Sequence, residues 1–158
     1  MRRAILPLLA VILAGCGASS EATTSTSASA PPGPGTVLYA RGDWAVVVDG
    51  ASATAFHRVA GAWRPDRSGA VKIDILGPRG KVASVPQFAV ELRAHEPLIE
   101  SGMWVDGREI PVKGGGLTPR RGTIYGALGS PLEPGEHVAV AYGRTSTHGA
   151  AIAWTFTV

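Results

Sequence analysis

The sequence predicts an all-β protein, and three observations carry that prediction. Short apolar runs recur from Thr36 onward, separated by turn dipeptides such as Asp49-Gly50, Asp106-Gly107 and Pro134-Gly135. Several of these runs alternate apolar and polar residues with a period of two, the pattern of a strand buried on one face. No segment after residue 36 carries an apolar stripe at helical spacing, and many short strands at turn-marked intervals point to a sandwich or a barrel. Gly (21 residues) and Pro (12 residues) are abundant while aromatics make up only 6%, a composition that suits many turns better than long helices.

The elements follow in order. Trp44–Val48 is a Val-rich run, Asp49-Gly50 favours a tight hairpin, and Thr54–Ala60 reads as the partner strand. Gly61-Ala62-Trp63 opens another turn and strand, similar to Gly42-Asp43-Trp44. Val71, Ile73 and Ile75 alternate with Lys72 and Asp74, and Gly77-Pro78-Arg79-Gly80 ends that strand. Phe88, Val90 and Leu92 alternate with Ala89, Glu91 and Arg93. Met103–Val105, Asp106-Gly107 and Glu109–Val112 read as a hairpin, and Thr123–Leu128 as a further strand. Pro134-Gly135 fits the centre of a type II turn. Val138, Val140 and Tyr142 then alternate, as do Ile152, Trp154, Phe156 and Val158. Trp63, Phe88, Trp104, Trp154 and Phe156 are the core candidates, because large rings on such strands are usually buried. The glycine run Gly114-Gly115-Gly116 opens no helix and precedes no Lys-Ser/Thr, so it reads as a mobile connection and not as a phosphate loop.

The first 35 residues have a different character. Arg2-Arg3 precede an apolar stretch, Ala4–Leu13, and then Leu13-Ala14-Gly15-Cys16. A positive start, a short apolar core and small residues before a cut describe an export signal. The core is well short of the ~20 apolar residues that span a bilayer. Leu-Ala-Gly-Cys resembles the lipobox of bacterial lipoproteins at every position. The resemblance implies that residues 1–15 are removed and that the Cys16 thiol carries a diacylglycerol. Cys16, now the N-terminus, would hold the protein to the extracytoplasmic face of a membrane in the cell envelope. Two acyl chains give stable anchoring where one is marginal. Cys16 is the only cysteine, so no intramolecular disulfide is available. Residues 16–35, rich in Ser, Thr, Ala, Pro and Gly without apolar periodicity, read as a disordered tether reaching roughly 25 Å.

Charge excludes one class of partner. Of 15 Lys and Arg, two leave with the signal, so the mature chain carries 13 basic against 12 acidic residues. A nucleic-acid binder would keep a basic stripe, and only Arg120-Arg121 resembles one, so no nucleic acid is expected.

The C-terminal part adds a second resemblance. Trp104-Val105-Asp106-Gly107-Arg108-Glu109-Ile110, Leu132-Glu133-Pro134-Gly135-Glu136-His137-Val138-Ala139-Val140, and the ending from Thr147 to Val158 resemble bacterial immunoglobulin-like domains. The similarity spans about residues 70–158 and implies a sandwich of roughly seven strands. It implies no single function, because such domains act as spacers, adhesive modules and ligand binders. Residues 36–69 lie outside it and form either a small hairpin subdomain or strands added to the sandwich edge.

The functional expectation is a non-enzymatic binding or scaffolding module, meeting an envelope protein or surface polymer and needing no cofactor. Loops Gly114–Arg121 and Gly143–Gly149 are the places to look for contacts. The alternative is metal carriage. Leu132–Val158 also resembles the end of the periplasmic copper-resistance sandwich family. His137 replaces that family's Tyr, His148 precedes Gly149 in reversed order, and the tether lacks the family's N-terminal His. On that reading His137 and His148 converge on one rim of the sandwich. An uncharacterised envelope hydrolase is a further alternative, although no Gly-x-Ser-x-Gly elbow occurs and the scattered carboxylates select no acid–base pair.

Overall fold

A computed structural model describes residues 34–158. The signal peptide, Cys16 and nearly all of the tether lie outside the described residues. The described chain holds thirteen strands in three sheets.

The first sheet is an antiparallel meander of β1 (Thr36–Arg41), β2 (Trp44–Asp49), β3 (Ser52–Val59) and β4 (Ala62–Pro65). Two-residue loops join its strands, since Arg41 pairs with Trp44, Asp49 with Ser52 and Val59 with Ala62. Each loop contains a glycine at positive φ, Gly42, Gly50 and Gly61, as the tight hairpin turns require. Both Gly-x-Trp segments therefore sit at hairpin bends.

The second sheet runs in the order β10 (Val112–Thr118), β11 (Arg121–Ala127), β7 (Gln87–Ala94), β5 (Val71–Gly77). The third runs β6 (Gly80–Lys81), β13 (Gly149–Thr157), β12 (Glu136–Arg144), β8 (Glu100–Val105), β9 (Arg108–Ile110). This is the strand layout of an immunoglobulin-like sandwich, with four strands facing a sheet built on the last two strands and the third. At Gly77-Pro78, a cis peptide, the chain leaves the second sheet and joins the third as β6, parallel to β13. At Pro111 it makes the opposite transfer, from β9 to β10.

The sandwich core contains Phe88, Val90 and Leu92 from β7, Met103 and Val105 from β8, Ile124 from β11, and Trp154 and Phe156 from β13. Fully burying one such side chain contributes about 1.5–3 kcal/mol. Trp154 also donates its indole N–H to the Pro78 carbonyl at 2.9 Å. The outer face of the second sheet is charged: Arg93 bridges Asp74 and Glu91, and Arg121 reaches Glu91. That pairing leaves the Arg120-Arg121 dipeptide as part of a mixed-sign surface.

The third sheet is buried on both faces. On β12, Ala139 and Ala141 point into the sandwich, while Val140 and Tyr142 point into a second core with Val46, Ala55 and Trp104. That second core lies under the meander. Residues 36–65 thus form a third layer stacked face-on, not an extension of the sandwich edge. Ala53 and Ala55 on β3 meet Ala151 and Ala153 on β13, and Cα atoms of the two strands come within 8 Å. Stacked sheets usually sit ~10 Å apart; small side chains allow the closer approach.

Two sequence expectations are corrected here. Trp63 is only half-buried on edge strand β4, its ring 5.5 Å from the Arg58 guanidinium. Gly114 and Gly115 belong to β10, paired with Ile124 and Thr123, and not to a loose connection. A glycine run lacks the side chains by which a strand is recognised, so only the register of its neighbour reveals it.

Candidate functional site

The site with the most distinctive chemistry lies where β8 begins. β9 pairs only with Met103, Trp104 and Val105, because Pro111 ends it and carries the chain into the other sheet. Beyond that point the outer edge of Glu100, Ser101 and Gly102 has no strand beside it among the described residues. An open cleft of about 710 Å³ lies there, lined by Arg41, Leu92, Leu98, Ile99, Glu100, Ser101 and Arg144.

Three charges organise the cleft. Glu100 faces Arg144 across the β8–β12 ladder, and Arg144 donates to its Oε2 through Nε at 2.7 Å and Nη2 at 2.6 Å. Arg41, at the β1–β2 bend, donates to Oε1 at 3.3 Å. Burial alone would raise the Glu100 pKa; the Tyr39 phenol and the two guanidiniums outweigh it and hold the carboxyl below its usual range. Two cations on one anion leave a net positive charge. Arg144 is held in place, since its guanidinium lies 5.8 Å from the Trp44 ring and Trp44 stacks on His57 at 4.2 Å. Arg41 is 78% exposed and forms the solvent-facing side of the pair.

Behind this triad lie two phenols. The Tyr39 pKa is pushed up to about 12 by burial and by the adjacent Glu100 carboxylate, and burial raises that of Tyr142 further. Neither hydroxyl has a hydrogen-bond partner among the described residues, and the two rings lie 5.2 Å apart.

The two histidines that the metal-carrier alternative would bring together lie apart. His137 opens β12 and pairs with Phe156, while His148 precedes Gly149, which pairs with Arg144 at the far end of the same hairpin. The seven steps from His137 to Arg144 span about 23 Å at ~3.3 Å per residue. Each histidine has other partners. His137 Nδ1 lies 2.7 Å from Asp106 Oδ2 and Nε2 lies 2.8 Å from the Glu133 carbonyl. His148 Nδ1 lies 3.5 Å from Asp66 Oδ2. No group of three or more His, Cys, Asp or Glu side chains set to hold a metal ion occurs among the described residues. The convergence that the copper reading requires is absent.

His137 instead fixes the entry to β12. A carbonyl and a carboxylate both accept, so the two contacts are satisfied together only when each ring nitrogen carries a hydrogen. The arrangement therefore favours the imidazolium, and the bonds to Asp106 and to the Glu133 carbonyl raise the ring's pKa. In immunoglobulin sandwiches a tyrosine near the start of this strand bonds back to upstream backbone; here a histidine makes that contact.

Of the loops singled out from sequence, residues 145–148 close on themselves. Thr145 Oγ1 accepts from the N–H groups of Thr147 and His148, and Thr147 donates to Glu96 at 2.7 Å. They stand at the cleft end of the molecule, close to Arg144. The cleft itself had no sequence signal, since Arg41, Glu100 and Arg144 are separated by 59 and 44 positions.

No protein-family model matches the chain, and no curated protein matches it. Among solved structures, the chain is similar to titin domain M4 at 14% identity and TM-score 0.39, over 56% of this chain and 95% of that one. The titin M10 complex with obscurin-like 1 gives 14% identity and TM-score 0.35, over 56% and 94%. The titin tandem A164–A165 gives 6% identity and TM-score 0.36, over 75% and 74%.

Proposed function

We propose that this protein is a cell-envelope lipoprotein, anchored through Cys16, whose immunoglobulin-like sandwich serves as a non-enzymatic binding or scaffolding module for an envelope partner. One observation carries the reading: the chain's only cysteine completes Leu13-Ala14-Gly15-Cys16 directly after a basic start and a short apolar run. A spacer without apolar periodicity then separates that cysteine from the first strand at Thr36. The strand layout supports the modular part of the reading, because such sandwiches present loops and edges on a rigid frame.

The test is metabolic labelling of cells expressing the full chain with an alkyne fatty acid. The wild-type chain is expected to take up label and to fractionate with membranes; Cys16→Ser is expected to lose both. Label that persists in Cys16→Ser, or an unlabelled wild-type chain, overturns the anchor.

A further inference from the structure

We propose that the open edge of β8 at Glu100–Gly102 takes up an extended peptide as an added strand, and that this peptide alternates acidic and apolar side chains. The proposal deepens the binding-module reading and rests on it, since it names the partner's chemistry. The backbone supplies the docking rail. β12 occupies one side of Glu100–Gly102 and no described strand pairs with the other. Pairing direction alternates along a strand, so with Met103 and Val105 facing β9 it is Ser101 whose N–H and C=O point outward there. An unpaired edge is a template for another strand, and strand addition draws affinity from main-chain hydrogen bonds and specificity from alternate side chains.

The walls of the cleft supply that specificity. Successive side chains of a strand point to opposite faces. On one face of β8, toward the meander, an added strand would meet Arg41 and the Glu100–Arg144 pair, where positive charge is in excess. On the other it would meet Leu98, with Ile99 at the lip and buried Leu92 forming the floor beneath. An acidic residue suits the first face and an aliphatic one the second. Ile99 is 56% exposed although it borders the cleft, and an added strand would cover it. β9 cannot extend to fill the edge itself, because Pro111 follows Ile110 and diverts the chain.

The experiment uses the full chain in maltoside micelles and fluorescein-labelled hexapeptides in anisotropy titrations. One peptide alternates Val with Glu, a second alternates Val with Lys, and a third is the Val-Glu peptide N-methylated at each Val, the residues whose N–H groups would face Ser101. The variants Arg41→Glu and Ile99→Asp change exposed side chains, and their circular dichroism checks that the fold persists. The Val-Glu peptide is expected to bind saturably. Arg41→Glu, Ile99→Asp and N-methylation are each expected to weaken it by about tenfold or more, and the Val-Lys peptide is expected to bind at least that much more weakly. Absence of Val-Glu binding overturns the proposal, as does binding that ignores Arg41→Glu or equals that of Val-Lys. Binding that depends on Arg41 but ignores N-methylation also overturns it, by showing a plain anion site. The intact mass of the same preparation reports Cys16 lipidation, so failure of the anchor and failure of the strand site are read separately.

Discussion

His137 faces a hydrogen-bond acceptor at each ring nitrogen, and its charge is therefore tied to folding. A histidine whose pKa is raised by folding binds its proton more tightly in the native state. Its stabilising contribution is complete below the unfolded value near 6.5 and is lost as pH rises through the folded value. We expect thermal stability to decline as pH is raised above about 6.5, and His137→Gln to flatten that dependence; a melting series across pH reads it directly. Asp66 works in the opposite sense. Burial alone would raise its pKa, but the N–H groups of Ser68 and Gly149 and the nearby His148 lower it. Its contribution is present above the ordinary carboxylate value near 3.9 and is lost as pH falls through the lower folded value. Only 8% exposed, Asp66 joins the segment after the meander to the start of β13 through Gly149 N–H at 2.8 Å. Asp66→Ala is expected to destabilise by about 1–3 kcal/mol, measured by denaturant titration. Neither role was legible in the sequence. Their partners lie 31 and 83 positions away, and a single histidine or aspartate in a turn-rich chain carries no mark of such a contact.

The strands themselves were far more legible than their faces. Alternation at Val71–Ile75 and Phe88–Leu92 placed β5 and β7, and Asp106-Gly107 placed the β8–β9 bend, where both residues have positive φ. On β12 the bulky set, Val140 and Tyr142, faces the meander and the small set, Ala139 and Ala141, faces the sandwich. A period of two identifies a strand but not which of two cores each face enters. Trp104, a core candidate from the sequence, is buried as expected but in the second core. Two glycines make room for tryptophan rings there: a Cβ on Gly149 would lie 2.6 Å from the Trp44 ring, and one on Gly102 2.7 Å from the Trp104 ring. We expect Gly149→Ala to cost about 1–3 kcal/mol and to loosen the meander. Faster hydrogen exchange in β2 and β3 than in β7 would show that loosening; unchanged protection in both would contradict it.

The whole molecule is three layers with two cores that share one sheet. The sandwich alone would leave Trp104, Val140 and Tyr142 uncovered, an apolar surface of the kind monomers rarely expose. Residues 36–65 are thus expected to unfold together with the sandwich, despite lying outside the recognisable immunoglobulin-like segment. A single unfolding transition, coincident by tryptophan fluorescence and far-ultraviolet circular dichroism, is the expected result. A chain lacking residues 34–65 is expected to self-associate, read by light scattering. The sequence resemblance stopped at residue 70 because the meander's own signals, hairpin turns and Val runs, fit any small β unit.

The direction of β1 has a last consequence. Its first residue, Thr36, lies beside the Asp106–Gly107 bend, while its last, Arg41, reaches Glu100 at the opposite end of β8. The chain thus enters the folded body at one pole, and the open strand edge lies toward the other. If Cys16 sits in the lipid layer as proposed, the tether joins the body at the pole away from the open edge, which leaves that edge accessible from the side away from the membrane, like a mooring ring on a buoy.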